Sequence, residues 1–405
     1  MTASADVYRL RPGPAISGRR FPEAGNERMR GLRDRAEAVG TEPFTGITTD
    51  GAVVPDLFPL RRTGVSTQPI KEAAEAFLVS LPDAQQGTAR FPIDSPEWMR
   101  WLNIHPFITR HGVLLDELNA AQREAALAVL EASLSATGFD EARNVMRLNE
   151  TIAEMANNWD AYGEWLYWMS LFGTPSADQP WGWQIDGHHL NVNCFVLGDQ
   201  VVMTPTFMGS EPVEAPMGRY AGTRVLAAEE QTGLELIRAL TPQQQDTAIL
   251  FRTITSTDLP PGRFRGADGR VQGGAFQDNI RLPYEGLRCD DLSPAQQSLL
   301  LRLVETYVGR MRPGHAELKM AEVKHHLADT HFAWMGGIDE DSVFYYRIHS
   351  PMLLIEFDHE SGVAFEHSEP TRTHIHTVIR TPNGNDYGKD LLRQHYEQYH
   401  RAPKT

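Results

Sequence analysis

Cysteine is scarce: Cys194 and Cys289 are the only two in 405 residues. Two thiols make neither a disulfide framework nor a cysteine zinc cluster, and their scarcity fits a reducing, cytoplasmic compartment. Long apolar runs are missing as well. No stretch of eighteen apolar residues occurs, so no membrane-spanning helix is expected. The Arg19–Arg20 pair is followed by FPEAGNE, where an export signal would need an apolar segment. Basic residues are outnumbered, 38 against 53, for a formal net charge of −15, which argues against a nucleic-acid surface. The familiar catalytic signatures are absent too. There is no phosphate loop ending in Lys-Ser or Lys-Thr, no GxGxxG after a strand, no GxSxG elbow and no HExxH helix. The chemistry is therefore sought among the fifteen histidines.

What is present suits a soluble α+β protein: hydrophobic residues make up 41% and charged residues 22%. Residues 1–60 read as an N-terminal arm, partly irregular, and residues 61–405 as a single body. A short helix is expected at 71–81, and the aromatic stretch 98–107, which contains His105, is expected to be buried. Asn119, Thr241 and Ser293 each precede a glutamine by three residues, Gln122, Gln244 and Gln296, which is the capping-box signature of a helix start. An apolar series with 3/4 spacing predicts one long helix over residues 140–172. Residues 257–291 lack a period and read as a long loop or lid. The runs beginning at 332, 343, 352 and 374 read as successive strands of an antiparallel meander. Helices precede this meander rather than alternating with it, which favours a largely antiparallel, mixed sheet packed with a helical layer.

The stretch PWGWQIDGHHLNVNCFVLGDQVVMTPTFMG at 180–209 reads as a hairpin with its turn at 197–200. Alternation puts His188, Leu190, Val192, Cys194 and Val196 on one face, and His189, Asn191, Asn193 and Phe195 on the other. A buried polar strand face costs free energy unless its groups find partners, so His189, Asn191 and Asn193 are expected to line a cavity. In THIHTVIR, His374 and His376 share one strand face about 6.7 Å apart, close enough for two imidazoles to converge on one metal. Strand phase makes His189 the third ligand, with His188 as support or as the alternative. Cys194 belongs to the apolar face and is excluded.

Glu356, among apolar neighbours in LLIEFDH, must be paired, either to the metal or to Arg347 or Arg380. The two arginines are read as holding a substrate carboxylate, with Tyr345 on the same face as Arg347. Asp386 in the NDYG turn either braces a histidine or caps the turn. His331 and His349 are reserves near the strands. His325, His326, His359, His367, His395 and His400 are expected at the surface.

The segments PWGWQIDGHHLNVN, GDQVVMTPTFMGSEP, FAWMGG, FYYRIHSPMLLIEFD and HIHTVIR with NDYG resemble, in this order, the family catalogued as domain of unknown function family 3500. The resemblance spans roughly residues 95–396 and transfers no catalytic residue. This chain departs from the family pattern at EHSEPTRT, ahead of HIH.

The expected function is a metal-dependent enzyme, hydrolytic, acting on a small polar molecule. Its divalent ion, zinc or iron, is held by His189, His374 and His376, with Glu356 as base. One alternative is a non-haem iron oxygenase with Glu356 in a two-histidine, one-carboxylate triad. The other is a non-catalytic small-molecule or metal-binding protein.

Overall fold

The β-branched and aromatic runs pair into one open sheet in the computed structural model, which describes residues 5–11, 27–104, 108, 110–264 and 269–399. His105, His400 and the Arg19–Arg20 pair lie outside the described residues. The strands in chain order are β1 (Arg90–Phe91), β2 (Val113–Leu114), β3 (Tyr167–Gly173), β4 (Trp181–Gly187), β5 (Leu190–Leu197), β6 (Gln200–Val202) and β7 (Thr206–Ser210). They continue with β8 (Ile249–Phe251), β9 (Leu287–Arg288), β10 (His331–Gly336), β11 (Phe344–Ser350), β12 (Leu353–Ser361) and β13 (Pro370–Arg380). Neighbours run β1-β3-β4-β5-β7-β13-β12-β11-β10-β8, with β2 on β3, β6 on β5 and β9 on β10. Only β1–β3 and β8–β10 are parallel among the described pairs. The fold is therefore α+β, with β10 to β13 as the expected meander. β7 joins the hairpin to that meander by placing Gly209 opposite His376.

Side-chain alternation divides the sheet by chemistry. Trp183, Ile185, Leu190, Val192, Cys194, Met208, Tyr346, Ile355, Phe357 and Ile375 enter the main apolar cluster, with Val129, Val145, Leu236 and Leu303 from the helices. Those helices are Ala120–Ser133, Ala136–Ala156, Ala227–Ala239 and Pro294–Val308. All three predicted capping boxes form, at Asn119, Thr241 and Ser293. The alternate positions carry Gln184, Asp186, Asn191, Asn193, Tyr345, Arg347, His349, Glu356, Asp358, His376 and Arg380, all buried. Much of this polar side is covered by residues 269–286 of the described part of the 257–291 loop, whose Gln272 and Gly273 amides bond Glu356. From the N-terminal region, the helix Glu27–Val39 packs Met29 and Leu32 near Trp98 and Trp101. Thr48 exchanges backbone bonds with Ile280 and Leu282.

Three expectations need correction. The long helix ends at Ala156, where Asn157 turns left-handed, and Tyr167–Gly173 is β3. β3 is buried on both faces, so it has no period of two and its apolar residues prolong the helical spacing by coincidence. His188 and His189 form the two-residue turn between β4 and β5, where Gly187 pairs with Leu190; they are not strand residues. His359 and His395 are buried rather than at the surface, because β12 runs on to Ser361 and turns His359 towards Glu230 on the helix side, 3.0 Å away. Among the described residues, no helix is long and apolar enough to cross a membrane.

Candidate metal centre

The β4–β5 turn brings His189 to the histidine pair of β13. The Nε2 atoms of His374 and His376 are 3.0 Å apart, and each lies 3.2 Å from Nε2 of His189. An ion bound at about 2.05 Å needs nitrogen separations of roughly 2.9 Å on an octahedral face and about 3.3 Å on a tetrahedral one. The observed triangle falls between the two. His189 has a left-handed backbone, φ 60°, a conformation that histidine adopts more readily than bulkier residues. It is clamped on both sides: its N–H donates to Asn103 O at 2.9 Å, and its carbonyl accepts from Gly209 N at 2.8 Å. A Cβ on Gly209 would meet Ile375 O at 2.7 Å and the His376 ring at 3.0 Å, so glycine lets β7 pass beside the imidazoles.

The surroundings select the ligand tautomer. His374 Nδ1 lies 2.8 Å from Ser361 O, and a carbonyl only accepts, so Nδ1 carries the proton. That leaves Nε2, facing the other two histidines, as the nitrogen available to a metal, as in metal-binding histidines. Burial, with the neighbouring imidazoles, holds His189 and His376 well below the ordinary histidine value, which keeps both rings neutral. His188 is not a fourth ligand. It stacks on His189 with ring centroids 4.0 Å apart, and its Nδ1 meets Asn149 Oδ1 at 2.9 Å.

The other expected residues are dispersed over the polar side. Asn191 and Asn193 bond each other and the carbonyls of Ile185 and Pro205. Glu356 is paired to neither arginine by a direct bond: it accepts from the amides of Gln272 and Gly273, at 3.0 and 2.7 Å, and from Tyr345 OH at 2.5 Å. Arg380 is held by Asp386 at 2.7 Å, Asp278 at 2.6 Å and Gly273 O at 2.9 Å. Asp386 therefore braces Arg380 and the turn, not a histidine. His331 and His349 lie opposite each other on β10 and β11, each in ring contact with Tyr284, and two strands or more from the β13 pair.

Sequence reasoning passed over Asp358. It lies directly opposite His376 across β12 and β13. Its Oδ2 accepts from Arg270 N at 2.6 Å, its Oδ1 is buried with no hydrogen-bond partner assigned among the described residues, and the Glu360 carboxyl lies beside it. Burial raises its carboxyl above the usual value, opposed by the nearby Arg270 guanidinium. The available signal was its spacing, two residues beyond Glu356 on the same strand face. Glu211, which receives the amides of Val363, Ala364 and Phe365 at 2.9–3.2 Å, lies 3.8 Å from His374 Nδ1.

Fold and site together define an α+β protein with a buried centre of three converging imidazoles. The chain belongs to the family described as Protein of unknown function (DUF3500), whose profile matches residues 63–389. No curated protein matches the chain, and no solved structure does.

Proposed function

We propose that this protein is a metal-dependent hydrolase of a small polar molecule, with His189, His374 and His376 holding a divalent ion of the zinc type. One observation carries the reading: three Nε2 atoms lie within 3.2 Å of one another, and the Ser361 carbonyl fixes one ring in the metal-binding tautomer. Three neutral nitrogens with an open position activate water by lowering its pKa towards neutrality. Asp358, opposite His376 and with no hydrogen-bond partner for its Oδ1 among the described residues, is the proton acceptor in this reading. Glu356 is better occupied elsewhere, by two amides and a phenol. The iron oxygenase reading needs a carboxylate ligand. Among the described residues, the cluster able to hold an ion consists of the three histidines alone.

Elemental analysis of protein purified without a metal-chelating resin tests this. The expected result is about one zinc-type ion per chain, lost when His374 and His376 are both changed to alanine. Glu356→Gln and Asp358→Asn are expected to keep the ion. Full metal stoichiometry in the double variant would overturn the site. Iron with oxygen consumption would replace the hydrolase by the oxygenase.

A further inference from the structure

Arg347, on the polar side of β11, is 1% exposed, yet among the described residues only one of its three guanidinium nitrogens has a hydrogen-bond partner. Nη2 donates to Glu285 Oε2 at 2.5 Å, while Nε and Nη1 are buried without one. Two residues further along the same face, Nδ1 of buried His349 is also unpartnered. Arg380 on the same side, by contrast, is saturated with carboxylates and carbonyls. A buried donor left unpaired costs about 1–3 kcal/mol, more when charged. Such groups point to a role other than stability.

Glu285, the one hydrogen-bond partner of the Arg347 guanidinium among the described residues, differs from its surroundings. It sits outside the strands, just before β9, with its side chain 26% exposed, and Arg263 grips it with two bonds, Nη1 to Oε2 at 2.7 Å and Nη2 to Oε1. A carboxylate that is a quarter exposed and doubly held by Arg263 therefore reaches inward onto a fully buried guanidinium by a single bond, where a guanidinium has the geometry to give two. On the inner side stands Glu356, opposite Arg347 across β11 and β12. Its charge opposes a second negative charge nearby. On the other side, β10 presents only the small Ala333.

We propose that Arg347 is the seat of a small carboxylate ligand and that Glu285 occupies this seat as an internal stand-in. Exchange of Glu285 for a free carboxylate keeps the local charge unchanged and gives the unpaired Nε or Nη1 an acceptor. Glu356 disfavours a phosphate dianion there. The seat lies on the same sheet side as the three histidines but shares no residue with them. It stands or falls independently of the metal reading.

The test is calorimetric titration of the full chain with acetate, and with phosphate at matched ionic strength. Removing the stand-in by Glu285→Ala is expected to tighten acetate binding at least tenfold over the unaltered protein. Adding Arg347→Lys, which keeps the charge but removes the fork, is expected to reverse that gain. Phosphate is expected to bind more weakly than acetate. The proposal is overturned if Glu285→Ala binds acetate no more tightly than the unaltered protein, if the lysine variant keeps the gain, or if phosphate binds better. The Glu285→Ala comparison leaves Arg347 in place, so it decides the matter even if the double variant does not fold.

Discussion

On the helix side of β12, Ile355 and Phe357 meet the side chains of the main apolar cluster. One residue away on the opposite side, Glu356 and Asp358 meet backbone amides donated by Gln272, Gly273 and Arg270. Both sides are dry, since all four residues are fully buried. The helix side needs little more than matching volumes, because apolar burial is non-directional and a core aliphatic side chain contributes about 1.5–3 kcal/mol. The polar side needs a correctly aimed partner for each group, and a hydrogen bond then returns only about 0.5–1.5 kcal/mol net. A sheet selected for stability alone has no use for the second arrangement. The unpaired atoms of Arg347, His349, Asp358 and His376 all lie on that side, which is where the proposed metal and carboxylate seats fall.

If the polar side is closed by its pairs, breaking one should cost as much as a core cavity. Arg380→Met leaves Asp278 and Asp386 buried without their cation. Loss of one partner of a buried pair costs about 3–5 kcal/mol, and urea unfolding should read that loss. A change below about 1 kcal/mol would mean that water already screens these groups, and that this side is wetter than the helix side. Ile355→Ala is the counterpart on the apolar side, expected to cost about 2–5 kcal/mol through lost transfer energy and a cavity. Its metal content should stay unchanged. If it loses metal, the two sides are mechanically coupled and the comparison fails.

The division was partly legible in the sequence. His374 and His376 announce themselves by a spacing of two in a β-rich run. Leu190, Val192 and Cys194 fall on the apolar side as alternation requires. The capping boxes were equally readable, since each is a local exchange of two hydrogen bonds. His189 stands beside the β13 pair, but the argument from strand phase does not apply to a turn residue. Its position depends on a left-handed φ clamped by Asn103 and Gly209, and neither contact is local in sequence. Asp358 was missed for a similar reason. Which of the two acidic residues stays unsatisfied is decided by the loop that lies over β12. That loop has no period to read.

A smaller effect separates the two adjacent turn histidines. His189 supplies a nitrogen to the cluster, whereas His188 stacks on His189 and bonds Asn149. Supporting residues of this kind are worth about 10–100-fold in metal affinity. His188→Ala is therefore expected to weaken binding by about tenfold in a competition titration, and His189→Ala to remove it. The reverse order would show that the turn presents the other imidazole.

The smallest expected effect belongs to the rim of the polar side, where the dry sheet meets water. Burial alone would raise the Glu285 carboxyl, but its hydrogen bonds with Arg263 and Arg347 win and hold it down, from 4.5 to about 2. A carboxyl depressed in the folded state stabilises the fold above its unfolded value and loses that contribution as pH falls through the folded one. The loss should therefore accumulate between about pH 4.5 and about 2. It should be modest, because Glu285 and Arg263 are each about a quarter exposed and their pairing is screened by solvent. Glu285→Gln should flatten stability against pH in that window while leaving it unchanged near neutrality in slope. An unaltered slope in the variant would mean that Glu285 is already loose in solution. Arg347 would then be without an internal carboxylate as well, and the polar side would be open at this edge rather than closed by a stand-in.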